Sequence, residues 1–315
     1  MPLISIFMKS YNHERYIPEA IESVLRQDFE DLELIIVDDA STDESRQIIE
    51  RFAKQDPRIR VIFHEQNFGI TRVVNDGIDA ARGKFIAQID SDDVWVTDKL
   101  RKQLAVVERD ENVIVWSEGR LIDQNGQALG KNFSELVESA SKKKSGNLFQ
   151  TLLQGNYIFG STLLYKRTNL GDLRYDERFL YNNDYKFLLE LARTYDFHYI
   201  AEPLAMYRIH GKNTLVGQGV EAEKRRHRAY VEEISILQEA LQQHRSELPN
   251  ATKADIYATL GLRCWQLGKY REARNSYQQA IRFNPWSLST PAYLARIFKT
   301  TFIGLLEPKI APSAN

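Results

Sequence analysis

Short apolar runs alternate with amphipathic helical patterns along roughly the first third of the chain. The runs are rich in β-branched residues, as expected of strands, and comprise Leu3–Phe7, Leu32–Val37, Ile59–Phe63 and Lys84–Ile89. Between the runs, apolar residues recur at helical spacing, first at Ile17, Ala20, Ile21, Val24 and Leu25. This alternation is typical of βαβ units, so it predicts an α/β fold with a doubly wound, mainly parallel sheet.

Beyond Asp98 the predicted elements follow each other less regularly. We expect a helix to about Arg109, followed by these elements: a strand at Val113–Trp116, a helix near Asn147–Gln154, a strand at Ser161–Tyr165, a helix at Tyr185–Tyr195 and a strand at Phe197–Ala201. The Asn125-Gly126 pair predicts a turn. Residues 131–146 have a loop composition and are predicted to form a mobile excursion on the surface.

A different pattern begins near Val220. The chain is highly charged and helical from Glu221 to about Leu248, and Pro249-Asn250 marks a break. The following segment, Ala254–Ser287, is similar to a tetratricopeptide repeat, with matching residues at Tyr257, Leu260, Gly261, Gly268, Tyr270, Ala273, Tyr277, Ala280 and Pro285. One repeat cannot bury its own apolar face, so we expect it to pack on adjacent helices, including Pro291–Leu305, or on a protein partner.

We therefore predict an α/β domain over residues 1–218 and an all-helical, TPR-like region over residues 219–315. Composition adds exclusions to this division. The 42 Lys and Arg residues nearly balance the 43 Asp and Glu residues, which gives a net charge of −1 and argues against nucleic acid as a partner. The single cysteine, Cys264, excludes an internal disulfide and favours a cytoplasmic location.

The apolar stretches are too short for membrane insertion. Leu3–Met8 lacks the length and cleavage pattern of a signal peptide, and no run approaches the roughly 18 apolar residues of a membrane helix. Ala292–Leu306 contains two basic residues and could at most lie on a membrane surface. We expect a soluble protein, and peripheral contact with the inner face of the membrane is the alternative.

Polar residues follow each predicted strand, at the edge where parallel strands bind ligands. The segments are Lys9–Asn12, Asp38–Ser41, His64–Asn67 and Asp90–Asp93. In Asp90-Ser91-Asp92, two carboxylates at a buried strand end concentrate negative charge, which a divalent cation such as Mn²⁺ or Mg²⁺ would neutralise. The alternative is a solvated turn before the next helix, but three other polar strand ends converge on the same crevice.

Two further residues at this edge have the chemistry to bind a nucleobase. Asp39 offers an acceptor for an imide N–H, and Tyr11 offers a flat face for stacking. Asp38 would then hold a loop in place. The alternatives are helix capping by the acidic segment and a core position for the tyrosine.

Residues 1–210 resemble the family 2 glycosyltransferases, which are inverting enzymes of the GT-A fold that use nucleotide-diphosphate sugars. The landmarks of the resemblance occur in order along the chain: Ile4–Ile6 with Ser10–Asn12, Ile21–Gln27, Ile35–Asp43, Asn67–Gly69 with Asn75–Gly77, and Asp90–Asp93. The ordered series is specific, although each piece alone is weak. Lys9 and Val74 depart from the pattern, since Pro or Thr and Arg are frequent at these positions.

The resemblance implies a role for particular residues. Donor binding is assigned to Ser10, Tyr11, Asp39, Arg72, Asp90 and Ser91. The cation is assigned to Asp92, with Asp90 and His210 as further ligands, and a structural role is the alternative for His210. Asn183-Asp184 occupies the place of the family's general base, so Asp184 is the predicted base and Asp176 and Glu177 are its nearest competitors. The other histidines are predicted to be surface or packing residues.

The resulting hypothesis is a metal-dependent hexosyltransferase of class EC 2.4. It would transfer sugar from a nucleotide-diphosphate donor, UDP-linked, to a glycan, lipid-linked or other hydroxyl acceptor in cell-surface polysaccharide or glycoconjugate synthesis. The alternative is a non-catalytic nucleotide-sugar-binding scaffold whose TPR-like tail recruits a protein partner. A sugar-nucleotide synthesising enzyme is disfavoured, because Lys9–Asn12 lacks a glycine-rich phosphate loop.

Overall fold

The computed structural model describes residues 1–139, 141–211, 213, 219–286, 294, 295 and 297. The chain divides into two compact units, of which the first comprises Met1–Leu152 and Asn156–Gln218. The second comprises Leu153–Gly155 and the described residues from Gly219 onward. Among the described residues, no helix combines the length and the apolar character needed to span a bilayer.

The described part of the first unit alternates strands and helices. Its strands are β1 (Ile4–Ser10), β2 (Leu32–Asp38), β3 (Ile59–Phe63), β4 (Phe85–Asp90), β5 (Val94–Trp95), β6 (Ile114–Ile122), β7 (Ala128–Asn132), β8 (Leu164–Lys166) and β9 (Phe197–Arg208). Its α-helices are α1 (Ile17–Leu25), α2 (Ser45–Gln55), α3 (Ile70–Ala80), α4 (Lys99–Val107), α5 (Phe133–Leu136), α6 (Phe149–Leu152) and α7 (Asn183–Thr194). Short 3₁₀ helices lie at Gly160–Thr162 and Arg167–Asn169.

The predicted α/β class is confirmed, and strands β1 to β4 are parallel as predicted. Strand β1 lies between β2 and β4, and β3 pairs with β2. Alternate side chains of β1 and β2 are buried in one core together with the apolar face of α1. The register sets Ser10 of β1 beside Asp38 of β2, and Lys9 beside Asp90 of β4. The polar residues after these strands therefore lie along one edge of the sheet.

The expectation of a mainly parallel sheet is wrong for its second half. The strand order is β3-β2-β1-β4-β8-β6-β9-β5, with β7 beside β6. Strand β8 is antiparallel to β4 and β6, and β5 is antiparallel to β9, whereas β6 and β9 are parallel. The β6–β7 connection contains the predicted Asn125-Gly126 turn, where Gly126 has a φ of 81°. Strands joined by a short turn run antiparallel, which accounts for the β6–β7 pair.

The segment 131–146 is more structured than its loop composition predicts. The end of β7 and helix α5 occupy its first part. Phe133 is buried and stacks on Phe159 with a centroid distance of 4.9 Å. The Lys144 carbonyl accepts a hydrogen bond of 2.9 Å from Trp116 Nε1. These partners are distant in sequence, so local composition could not indicate them.

Lys99, the first residue of α4, has a fully buried side chain. Its Nζ lies 3.9 Å from the ring centroid of Trp95 and donates a hydrogen bond of 2.6 Å to Gln103 Oε1. Burial lowers the pKa of Lys99 well below the ordinary lysine value. The ammonium form is therefore disfavoured in the folded protein relative to the unfolded chain.

Replacing Lys99 with Met should raise the free energy of unfolding near pH 7 by about 1 kcal/mol. This value is at the low end of the stabilisation seen when buried charged groups are replaced by apolar side chains of similar volume. Between the folded pKa and the unfolded value of about 10.4, only the unfolded chain holds the proton, so wild-type stability rises with pH. Urea unfolding should show that the free energy of unfolding of the wild type approaches that of K99M as the pH increases through this window. Lys131 is exposed, and K131M is the matched control. Parallel pH dependence in all three proteins would contradict the prediction.

The second unit contains helices α8 (Val220–His244), α9 (Asn250–Gln266) and α10 (Tyr270–Phe283). The ring of Tyr277 is fully buried against Gly261, where an added Cβ would lie 2.7 Å from a ring carbon. Burial raises the pKa of Cys264, which is consistent with its interpretation as a small apolar filler. A helical hairpin of this kind is not specific to one repeat family, so the TPR-like assignment remains a prediction. The predicted helix at Pro291–Leu305 lies outside the described residues, apart from isolated positions.

Candidate active site

Polar side chains connect the loops that follow β1 and β2 at the carboxyl edge of the sheet. Ser10 Oγ donates a hydrogen bond of 2.8 Å to Asp38 Oδ2. Ser41 donates to the same carboxylate through its backbone N–H at 2.9 Å and its hydroxyl at 2.6 Å. Asp38 thus holds the loops together, as the sequence predicts. Ser10 is buried, and its hydroxyl is already used in this contact.

The backbone of both loops adopts a left-handed conformation next to these contacts. Asn12 has a φ of 53° and Ala40 has a φ of 58°. For alanine this conformation costs on the order of 1 kcal/mol. The cost is offset by surrounding hydrogen bonds, including one of 2.8 Å from the Thr42 N–H to Asn12 Oδ1. Local strain of this kind is often found where a loop must present functional groups.

Asp39 is buried, and its carboxylate is engaged inside the protein. It accepts hydrogen bonds from the backbone N–H groups of Phe68 at 2.9 Å and Gly69 at 2.8 Å, just before α3. His64 Nδ1 lies 2.7 Å from the same carboxylate. A carboxylate has about four acceptor positions, so these contacts leave room for about one further donor.

Tyr11 and Arg72 lie where a ligand has access to them. Tyr11 follows β1 and is 45% exposed. Arg72 Nε donates a hydrogen bond of 3.1 Å to Asp76, which in turn lies 2.9 Å from His64 Nε2. Because His64 also contacts Asp39, Arg72 belongs to the Asp39 side of the site.

Asp92 and His210 are brought into direct contact, although 118 positions separate them in the chain. His210 Nε2 lies 2.9 Å from Asp92 Oδ2. Burial opposes ionisation of Asp92, but the hydrogen bond from His210 and the nearby imidazoles lower its pKa below the ordinary value. Two of the three predicted metal ligands, Asp92 and His210, therefore face the same point.

His13 also faces this point, which the sequence prediction missed. Its Nδ1 lies 4.0 Å from Asp92 Oδ1 and 2.8 Å from Ser91 Oγ. The only available signal was its position in the polar segment after β1, since a lone histidine carries no ligand pattern. His13 packs against the rings of Tyr16 and His210, and it also contacts the predicted cation-binding segment, which the sequence did not indicate.

The buried Arg208 links the backbone of Asp92 to the Tyr16 ring, which stacks on His210. Arg208 Nε donates a hydrogen bond of 2.8 Å to the Asp92 carbonyl, and Arg208 Nη2 lies 2.6 Å from Glu19 Oε2. The guanidinium lies 5.1 Å from the Tyr16 ring centroid, and the Tyr16 ring stacks on His210 at 5.0 Å. This chain of contacts fixes the orientation of the His210 ring.

Lys9 pairs with Asp90 at the adjacent strand end. Burial alone would lower the pKa of Lys9, but the charge of Asp90, followed by that of Asp184, raises it above the ordinary value. Lys9 is therefore held as an ammonium between the two carboxylates. This position explains the departure from the family pattern as a local charge balance in an acidic crevice.

Asp184, the predicted base, lies in the first turn of α7. Its Oδ1 accepts a hydrogen bond of 2.6 Å from the Tyr185 N–H, and its Oδ2 accepts one of 3.1 Å from Asn156 Nδ2. Burial raises the pKa of Asp184 above the ordinary aspartate value, and the charge of Lys9 opposes this shift. A carboxylate with a raised pKa is a stronger proton acceptor, as a general base requires.

The two competitors for the base have different surroundings. Asp176 pairs with Arg178 at 2.6 Å, and this interaction lowers its pKa. Glu177 is exposed and lies 3.8 Å from Arg72 Nη1. Both competitors pair with arginines, whereas desolvation raises the pKa of Asp184, so Asp184 remains the better candidate.

Two overlapping groups of side chains have suitable ligand atoms for a cation, with all atoms of each group within 4.8 Å of one another. One group contains His13, Asp92 and His210, and the other contains Asp90, Asp92 and Asp93. In the second group Asp90 pairs with Lys9, and Asp93 is buried with a hydrogen bond of 2.6 Å from Ser161. In the second group, an ammonium already balances Asp90 and a hydroxyl already binds Asp93. The first group therefore fits a divalent ion better.

Comparisons with known proteins identify the family of the chain. A family model described as glycosyl transferase family 2 matches residues 5–174. The chain is similar to a glycosyltransferase of Methanocaldococcus jannaschii, with 31% identity over 221 residues that cover 69% of this chain and 74% of the relative. It is also similar to TuaG of Bacillus subtilis, which is named for teichuronic acid biosynthesis, with 39% identity over 130 residues that cover 41% and 52% of the two chains.

Solved structures share the fold. Residues 1–349 of Staphylococcus aureus TarS in complex with UDP give a TM-score of 0.63 at 19% identity, covering 95% of this chain and 89% of TarS 1–349. The mannosyltransferase PcManGT of Pyrobaculum calidifontis, in complex with GDP-Man and Mn²⁺, gives 0.62 at 17% identity, covering 98% and 81%. At these identities the likeness concerns the fold, which is the predicted GT-A type.

Proposed function

Because the chain belongs to glycosyl transferase family 2, we propose that it moves a sugar from a UDP-linked donor to an acceptor hydroxyl with inversion at the anomeric carbon. The observation that carries the proposal is the joint placement of two chemistries in one crevice. The Asp92–His210 pair is suited to a cation, and Asp184 is a partly buried carboxylate with a raised pKa. Lys9 pairs with Asp90, and the charges of Asp90 and Asp184 both act on Lys9, which connects the two sides electrostatically.

The unused acceptor capacity of Asp39 supports a uracil base. Uracil presents one imide N–H, whereas guanine presents an N–H and an adjacent amino group. Asp39 already accepts from Phe68, Gly69 and His64, so about one position remains. Tyr11 would stack on the base from its exposed position. UDP and UDP-GlcNAc are also bound by TarS, although that likeness concerns the fold alone.

In the proposed reaction Asp184 accepts the proton of the acceptor hydroxyl. The hydroxyl oxygen forms the new bond to the anomeric carbon while the bond to the diphosphate breaks on the opposite face, which inverts the configuration. When bound at Asp92 and His210, a divalent cation supplies compensation for the charge of the leaving diphosphate. Asn156 and the Tyr185 N–H hold the Asp184 carboxylate in place.

We further propose an acceptor in polysaccharide or glycoconjugate synthesis, such as a glycan or a lipid-linked saccharide. The support is the name of the relative TuaG, which refers to teichuronic acid biosynthesis. The recruitment of a protein partner by the helical region remains a separate hypothesis.

The function is tested by incubating the full chain with a panel of UDP and GDP sugars, Mn²⁺ and glycan acceptors. We expect turnover with a UDP sugar, and NMR of the first product should show an anomeric configuration opposite to that of the donor. Retention of configuration would contradict the proposed mechanism. Tight donor binding without transfer or hydrolysis over the whole panel would favour the scaffold alternative.

A further inference from the structure

We propose that His13 is a third protein ligand of the cation, so that the site selects transition-metal ions such as Mn²⁺ and Co²⁺ over Mg²⁺. The proposal rests on the proposed function, in which the site holds a divalent cation. It adds His13 to the ligands that the family resemblance assigned, and it limits the bound ion to the transition metals.

The three side chains come from separate parts of the fold. His13 follows β1, Asp92 follows β4, and His210 follows β9. The two oxygens of Asp92 divide between the imidazoles, since Oδ2 lies 2.9 Å from His210 Nε2 and Oδ1 lies 4.0 Å from His13 Nδ1. The ring centroids of the two histidines are 5.8 Å apart. The carboxylate thus lies between two nitrogen donors, with all ligand atoms within 4.8 Å.

Packing of the His13 ring against Tyr16 and His210 does not by itself account for the direction of Nδ1. Its side chain is 21% exposed, and Nδ1 is directed toward Ser91 and Asp92 rather than toward an apolar core. Its backbone N–H donates a hydrogen bond of 3.0 Å to Ser45 Oγ, so the main chain is held without help from the ring. The imidazole is therefore placed by the backbone and remains available for an interaction at the crevice.

A donor set of two imidazoles and one carboxylate favours transition-metal ions over Mg²⁺. Nitrogen donors bind first-row transition-metal ions with an affinity that rises from Mn²⁺ to Co²⁺, whereas Mg²⁺ takes oxygen ligands almost exclusively and keeps several waters. Two histidines and one carboxylate also leave open positions on the ion, which donor oxygens and water can fill. Loss of one imidazole should therefore weaken Mn²⁺ binding more than Mg²⁺ binding.

The test measures cation binding on the full chain with UDP present. Free Mn²⁺ is followed by electron paramagnetic resonance, and Mg²⁺ is added as a competitor. We expect His13→Ala and His13→Gln to weaken Mn²⁺ binding at least about tenfold and to reduce the preference for Mn²⁺ over Mg²⁺. Electron spin echo modulation should detect two coordinated imidazoles in the wild type and one in the variants. His198 is exposed on β9, and H198A is the matched control with unchanged binding.

Ser91→Ala separates ligation from loop positioning. If His13 only orders the segment through its hydrogen bond to Ser91, S91A should reproduce the loss in H13A. Equal losses in S91A and H13A, or two imidazole signals in H13Q, would overturn the assignment of His13. Absence of Mn²⁺ binding by the wild type would instead overturn the cation dependence of the proposed function, and the His13 proposal with it.

Discussion

Replacing Asp184 with Asn lowers kcat about 10²–10⁴-fold while the Kd for the donor stays close to the wild-type value. Asparagine matches aspartate in size and can keep the hydrogen bond from the Tyr185 N–H, but it cannot accept the acceptor proton. The loss should therefore fall on transfer and not on donor binding. Steady-state turnover and calorimetric donor titration of the same preparation measure the two effects.

Asp176→Asn and Glu177→Gln are the matched controls, because both change a carboxylate to an amide near Asp184 in the chain. We expect them to keep kcat within about threefold, since both carboxylates pair with arginines and not with the Asn156 and Tyr185 donors that hold Asp184. Full activity of D184N, or a loss in D176N that exceeds the loss in D184N, would show that Asp184 is not the base.

The pH dependence of kcat should report the same group. A general base acts in its ionised form, so kcat rises with pH through the pKa of the base. Burial raises the pKa of Asp184, so the acidic limb should lie above about 3.9, the unperturbed aspartate value. The residual activity of D184N should lack this limb.

Replacing Asp92 with Asn should abolish the cation dependence of donor binding. We expect donor affinity in the presence of Mn²⁺ to fall about 10²-fold or more, because several kcal/mol of cation–diphosphate interaction are lost. The wild type should bind the donor tightly with Mn²⁺ and weakly with EDTA, whereas D92N should bind it weakly in both conditions. Calorimetric titration under the two conditions provides the comparison.

Asp93→Asn is the control for this experiment. Burial, together with the charges of Asp92 and Asp90, raises the pKa of Asp93 well above the ordinary value, so the neutral carboxyl is favoured. An amide resembles that neutral form, and D93N should therefore retain cation-dependent donor binding. If D92N keeps the difference between Mn²⁺ and EDTA, Asp92 is not the essential ligand.

The sequence by itself determined the parallel half of the sheet and the location of its functional edge. Regular periodicity in β1 to β4 and their intervening helices identifies local structure, and parallel topology then places the residues after Ser10, Asp38 and Asp90 on one edge. Asp92 and His210 were also predicted together through the family resemblance, and the structure brings them to 2.9 Å.

Only the tertiary structure decided the second half of the sheet and the surroundings of each site residue. The mixed pairing of β5 to β9 depends on which distant strands meet, and local periodicity does not report the direction of those pairings. The proximity of His13 to Asp92, the pairing of Lys9 with Asp90, and the internal contacts of Asp39 all join residues far apart in the chain. Local patterns report the conformation of a segment, whereas the charge balance and ligand set of a site arise from contacts between segments.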